Sequence, residues 1–232
     1  MGPRRSFYIR SVPQHYHDAR TPEQLRNREK LKMLMEFLSA AKCFVNKHLE
    51  RWATGQTATN VATALNFGRA FGTSGGLNYG DVTLSQGRRA ELDGLTVLRD
   101  GSGVVLGWQR GVAEEGSMDE VSVMVYNAVR KERTMVLGGG RRRDEGMRVE
   151  VPSWWTGEEW HVYVAVKDEL SGETSRSQYW CVGTTERTMM TDGATTAMAA
   201  EETDDEREAV AIFFGPEKEQ SAIKEVSDTG ES

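Results

Sequence analysis

Cysteine is nearly absent: the 232 residues hold two, Cys43 and Cys181. Two so far apart build neither a disulfide scaffold nor a zinc knuckle. Proline is scarce too, with five residues, which argues against a Pro-rich linker. No apolar run approaches the roughly 18 residues of a membrane-spanning helix, and the mean hydropathy is −0.56. A secretory signal is missing as well, because Phe7-Tyr8-Ile9 is closed by Arg10, far short of an apolar h-region. Gly2 and Ser6 fit a myristoylation pattern only weakly, with Pro3 between them. Synthesis in the cytoplasm without cleavage is the default expectation. The sequence also lacks a Gly-x-Ser-x-Gly elbow, His-Glu-x-x-His, a Walker lysine loop and a dinucleotide fingerprint. The expectation is a protein that is not an enzyme and holds neither cofactor nor metal.

Charge is plentiful but unevenly spread. The net value of −6 argues against generic nucleic-acid binding. Residues 1–52 carry 11 basic and 5 acidic groups, whereas residues 186–232 carry 13 acidic and 4 basic, a net of −9. The acidic stretch is also repetitive, as in Glu201-Glu202 and Asp204-Asp205. Such a composition does not bury enough apolar surface to offset backbone ordering, roughly 1–2 kcal/mol per residue, so it predicts a disordered tail. Within it Ala209-Val210-Ala211-Ile212-Phe213-Phe214 is either a short docking strand or an incidental apolar patch.

The head is helical. Thr21-Pro22-Glu23-Gln24 combines a capping threonine, a proline at the first helical position and a capping-box glutamine. Leu31, Leu34, Met35, Leu38, Ala41, Val45, Leu49 and Trp52 then recur with the spacing of one helix face. Gly55 ends this helix, and a second over about 57–71 would bury Val61, Ala64, Leu65 and Phe71, with Gly68 as a gap or close-packing point. The two form a helical hairpin. Before them Phe7–Val12 reads as a strand ending at Pro13, which needs a sheet edge or another subunit to pair with.

From Asp81 onward the period changes to two. Short β-rich runs are predicted at Asp81–Ser85, Leu95–Arg99, Gly103–Gln109, Glu120–Tyr126, Arg133–Leu137, Met147–Val151, Trp160–Val166 and Ser175–Val182, separated by turn residues. Val121, Val123 and Val125 would face one way, and Trp160, Val162, Val164 and Val166 would form a second inward row. The 103 residues from Asp81 to Gly183 suit one immunoglobulin-like or fibronectin type III sandwich. The expected fold class is α+β, with strand and helical hairpin over 1–76, a sandwich over 77–185 and an acidic tail over 186–232.

Val151-Pro152 followed by Trp155-Thr156-Gly157 and Trp160–Val164 resembles the fibronectin type III turn into the penultimate strand. Trp160 stands where that family usually places a corner tyrosine. The whole chain resembles an uncharacterised Bacteroidota family. The carrying residues are Tyr8-Ile9-Arg10-Ser11, Pro13, Arg20-Thr21-x-x-Gln24, Arg28, Asn60, Asn66, Tyr79, Val82, Ser85 and Gly87. Trp108, Val125-Tyr126-Asn127, Trp155, Gly157, Val162-Tyr163, Ser177, Tyr179 and Gly183 complete them. Members begin with a longer Gly-rich segment, and the acidic tail lies outside the pattern. The family has no assigned activity, so the resemblance implies architecture alone. The helix start Arg20-Thr21-x-x-Gln24-x-x-x-Arg28 is also similar to segments of some phage-associated structural proteins.

Candidate sites are few. His15 and His17 would share a metal only with further ligands that the neighbourhood does not supply. Gly138-Gly139-Gly140 precedes no helix and reads as a loop between strands; Glu114-Glu115, Asp119-Glu120 and Glu158-Glu159 read as solvated turn charge. Arg141-Arg142-Arg143 at a hairpin tip would clamp a phosphate, a carboxylate or the acidic tail, or simply be a solvated loop. Trp154 and Trp155, with Trp160 and Trp180, would stack on a sugar or fill the sandwich core. The expected function is a non-catalytic structural or protein-interaction role, possible in a surface or phage-like assembly, through a protein partner or self-association. The alternative is a module binding a glycan or cell-surface ligand.

Overall fold

The computed structural model describes residues 20–73, 75–110 and 116–183. The expected first strand, His15, His17, Glu114-Glu115 and the acidic tail lie outside the described residues.

Helix α1 spans Pro22–Leu49. Its start has the expected chemistry: Thr21 Oγ1 accepts from the Gln24 amide, and Gln24 Oε1 accepts from the Thr21 amide, both at 3.3 Å. The buried stripe is wider than the sequence spacing predicts. Phe37, Phe44 and His48 join Leu34, Leu38, Ala41, Val45 and Leu49, while Met35 and Trp52 stay exposed. A 3-10 turn, Glu50–Trp52, and a reversal lead to α2, Ala58–Asn66, capped by Thr57. This helix is shorter than predicted because Asn66 turns its amide sideways. Its Nδ2 donates to the carbonyls of Ala62 and Thr83, and its Oδ1 accepts from the Thr83 amide, a local competitor to helix continuation. Gly68 has open space around it and is not a close-packing point.

Seven strands follow: β1 Thr96–Asp100, β2 Gly103–Gly107, β3 Glu120–Asn127, β4 Glu132–Arg141, β5 Gly146–Glu150, β6 Trp160–Lys167 and β7 Gln178–Val182. They form two antiparallel sheets, β1-β2-β5 and β4-β3-β6-β7. The chain changes sheet between β2 and β3, β4 and β5, and β5 and β6, as an immunoglobulin or fibronectin type III-like sandwich does. The fold class is α+β.

The inward valine rows are as expected. Val121, Val123, Val125, Trp160, Val162, Val164 and Val166 meet Val104, Leu106, Trp108 and Val149 in the sandwich core. What alternation alone does not reveal is that the other face of β3 and β6 is buried too. Met124, Tyr126, Tyr163 and Ala165 pack under α1 and α2. The hairpin therefore lies on the sandwich as a third layer.

Two strand expectations are corrected. Residues 81–85 form no strand: Tyr79–Asp81 is a 3-10 turn. Val82 and Leu84 are buried in the helix-side core, but side chains hold this backbone. Leu84 N donates to Ser177 Oγ, and Ser85 Oγ donates to the Ser175 carbonyl. Gly138–Gly140 lie inside β4, where the register with β3 slips between Val121 and Val123. Gly138 has φ +67° there, a bulge conformation that disfavours a side chain.

Candidate interaction surface

Trp154 and Trp155 follow a tight turn closed by the Trp155 amide on the Pro152 carbonyl at 3.0 Å. Their rings do not form one platform. Trp155 is 2% exposed, its ring 6.1 Å from that of Trp160 in the core; Trp154 is 57% exposed. Both indoles donate to one oxygen, Glu132 Oε2, at 2.7 Å from Trp155 and 3.0 Å from Trp154. These two donors, Trp155 first, hold the Glu132 carboxyl below its ordinary range. The exposed ring is thereby tied to the first residue of β4.

The surrounding end of the sandwich is braced from below. The Arg99 guanidinium lies 3.6 Å from the Trp160 ring centroid and donates to the Glu158 and Trp155 carbonyls at 3.0 and 3.2 Å. Glu158 accepts from Asn127 and from Arg130 Nε. Asn127 Oδ1 in turn accepts from the amides of Val129 and Arg130, both at 3.1 Å. These bonds fix the turn that presents Val129, 74% exposed. An exposed indole and an exposed aliphatic side chain thus stand on a hydrogen-bonded base.

The three arginines are not at a hairpin tip. β4 and β5 belong to different sheets, and Arg142–Asp144 is the 3-10 corner between them. Arg142 is 6% exposed and braces the corner. It donates to the Glu91 and Ala90 carbonyls at 2.8 and 2.5 Å, and its Nε lies 3.4 Å from buried Asp119. Its own carbonyl accepts from Trp108 Nε1 at 2.6 Å. Asp119 is also gripped twice by Arg89 at 2.8 Å, so it is not solvated turn charge. A buried guanidinium so occupied does not clamp a ligand. Arg141 donates to the Met118 carbonyl and to Glu169, leaving Arg143 exposed beside Asp144 at 3.9 Å. Arg141 and Glu132 terminate opposite ends of β4, about 30 Å apart at the usual rise per residue. The arginine and tryptophan candidates are therefore not one site.

His161 faces away from the Trp160 row, as alternation requires, but into a tyrosine cluster. It stacks on Tyr79 at 4.1 Å, and its Nδ1 lies 2.9 Å from Tyr179 Oη. Burial pulls its pKa down to about 4, so the ring is neutral at pH 7 and serves packing. Among the described residues no group of three His, Cys, Asp or Glu is placed to hold a metal, and no helix is long and apolar enough to cross a membrane. Sequence reasoning missed Glu132, Arg99 and Asp119. Nothing in their local spacing distinguishes them from surface charge, because their partners lie 22 or more positions away.

These features define an α+β protein with a helical hairpin laid on a fibronectin-like sandwich. The chain belongs to a family of unknown function, DUF6266, whose profile matches residues 4–181. A search of curated proteins gives no match. Solved structures are similar at a low level. The fn3 domain of human collagen alpha-1(XX) chain is 13% identical over 47% of this chain and 96% of its own, with TM-score 0.30. For the fn3 domain of human contactin 1 the values are 11%, 47%, 88% and 0.29. The Clostridium perfringens spore cortex lytic enzyme SleM is 10% identical over 40% of this chain, which spans 27% of that enzyme, with TM-score 0.28.

Proposed function

We propose that the protein is a non-catalytic interaction module that binds protein, a second copy of itself first, through the sandwich end carrying Trp154. The observation behind this reading is an indole 57% exposed yet held by Glu132. A ring fixed before contact loses little freedom on binding, which is what makes rigid aromatics effective anchors. A structural role at a surface or in a phage-like particle, in a Bacteroidota source, is the setting this reading suits. The alternative, a glycan or cell-surface ligand bound through the Trp154-Trp155 region or Arg141–Arg143, has less support with Trp155 and Arg142 both buried.

Light scattering after size exclusion, across a concentration series, tests the proposal. The expected result is a mass that rises with concentration for the natural chain and stays monomeric for Trp154→Ala. That variant should keep its stability within about 0.5 kcal/mol, as surface substitutions do. Trp155→Ala, by contrast, empties a core position and should lose about 3–5 kcal/mol. A monomer at every concentration would overturn self-association.

A further inference from the structure

Trp52 does not finish the buried stripe of α1, as its spacing predicts, but is 48% exposed in the 3-10 turn that follows. Its ring is nevertheless fixed. Trp52 Nε1 donates at 2.8 Å to the Gln86 carbonyl, which also accepts from the Thr174 hydroxyl at 2.8 Å. Three segments far apart in the sequence thus meet at one carbonyl oxygen. Two guanidiniums stand at this corner, Arg51 next to Trp52 in the chain and Arg88 two residues beyond Gln86. Both face the same oxygen, Glu173 Oε1, at 3.6 Å from Arg51 and 3.9 Å from Arg88. Those separations exceed a hydrogen bond, so the Glu173 carboxylate leaves both sets of donors unfilled. The loop carrying Glu173 is held in place. Asp168 N donates to the Glu173 carbonyl at 2.8 Å, and Glu173 N donates to Ser171 Oγ at 3.1 Å. A Cβ on Gly172 would lie 3.8 Å from Arg51 Cδ, so the loop also rests on the arginine stem. Glu50, beside Arg51, faces Lys167 at 3.8 Å. Three cations against two carboxylates leave this corner one positive charge in surplus.

We propose that this corner binds an acidic glycan, through a pyranose ring that bears a carboxylate. The C–H face of such a ring is apolar and weakly positive, and it suits the electron-rich face of an exposed indole. The unfilled guanidinium donors suit the carboxylate, through the paired N–H bonds that arginine forms best. Glu173 in turn accepts from ring hydroxyls. An acidic peptide uses the cations alone and is repelled by Glu173, and a neutral sugar gains nothing from the surplus charge. The mixed donor set favours the acidic sugar over both. Because indole and loop are fixed before contact, binding orders few side chains. The corner lies past the end of β6, where Lys167 Nζ donates to the Lys47 carbonyl at 3.2 Å. The Trp154 turn instead leads into the start of β6. The two surfaces are separate, and neither proposal depends on the other.

The probe is the α-1,4-linked trisaccharide of galacturonic acid, titrated into the isotope-enriched full chain. The signals followed are the Trp52 indole N–H and the Nε–H of Arg51 and Arg88. All three should shift together and saturate, with a dissociation constant below about 1 mM. Trp52→Ala and the Arg51→Gln/Arg88→Gln pair should each weaken binding at least about tenfold. Added salt should weaken it too, since the charges are exposed. Backbone amide spectra of the variants should superpose on that of the natural chain away from the substitutions, which separates loss of binding from loss of fold. Trp52→Phe keeps an aromatic face without the donor and should retain part of the binding that alanine loses; a variant as weak as Trp52→Ala would exclude stacking. No saturable shift, an equal shift with the neutral trisaccharide maltotriose, or an equal shift with sodium acetate overturns the proposal. So does binding that survives both variants. A poly-glutamate peptide that moves the same signals at lower concentration assigns the corner to an acidic protein surface and overturns it as well.

Discussion

His48 lies on the buried stripe of α1, 1% exposed and with its ring 4.6 Å from that of Phe44. Neither ring nitrogen has a hydrogen-bond partner among the described residues. Burial first, then the positive charges of Lys47 and Lys167, pull its pKa from 6.5 down to about 3. The unfolded chain therefore takes up a proton below pH 6.5 that the folded chain refuses. Stability that is full above pH 6.5 falls steadily as the pH drops towards about 3, with roughly 2 kcal/mol gone by pH 5. Urea unfolding at pH 7, 6 and 5 should show this slope in the natural chain, with a markedly flatter one in His48→Leu. A smaller slope should survive in the variant, because His161 is held near pKa 4 by burial. An unchanged slope would exclude His48 as the acid-sensitive group. Asp119 and Arg142 illustrate the opposite solution at the same scale. Their charges are buried but paired, and the sequence around them, Met118-Asp119-Glu120 and Arg141–Arg143, looks like ordinary turn polarity.

At the scale of elements, what was legible followed from periodicity and local caps. The Thr21 capping box, the long first helix and seven of the eight strands predicted from Asp81 onward appear close to where those signals put them. The eighth shows the limit. Val82 and Leu84 alternate like strand residues and are buried like them, yet the amide of Thr83 between them donates to the Asn66 side chain and that of Leu84 to the Ser177 hydroxyl. Pairing of this kind depends on residues far along the chain and leaves no local pattern. The same holds for the candidate surface. Trp154 and Trp155 were visible as a pair, but which ring faces outward is decided by Trp160 and Glu132. Gly87 marks where this side-chain-held segment crosses the β6–β7 connection. A Cβ there would stand 1.9 Å from the Thr174 carbonyl oxygen, and Thr174 is tied by its hydroxyl to the carbonyls of Gln86 and His48. Backbone cannot yield as a side-chain tip does, so Gly87→Ala should cost about 1–3 kcal/mol, as overpacking in a dense core does. Chemical denaturation measures it. A loss below 0.5 kcal/mol, the size of a surface substitution, would mean the crossing can open.

For the whole molecule, the third layer is the feature with consequences for stability. Phe37 of α1 meets Tyr126 edge-on at 5.0 Å, Tyr79 edge-on at 5.3 Å and Tyr163 at 5.7 Å. Tyr126 and Tyr163 sit on the strands whose other face forms the sandwich core. Lys47 reaches Glu120 at 2.6 Å, and Lys131 reaches Glu36 at 2.7 Å, so charged contacts tie α1 to both ends of β3 and β4. A hairpin so attached should unfold with the sandwich in one transition rather than as a separate 1–76 unit. Two probes distinguish these cases. Helix ellipticity reports α1 and α2, and tryptophan fluorescence reports the sandwich, which holds every tryptophan except Trp52. Their transitions should coincide. Phe37→Ala removes a fully buried ring and should lower both midpoints together, by about 3–5 kcal/mol. If the helical signal were lost first while the fluorescence midpoint stayed in place, the hairpin would be a separately folding unit. The sandwich would then be stable with the outer faces of β3 and β6 bare, an exposed row of Met124, Tyr126, Tyr163 and Ala165 that soluble domains rarely leave uncovered.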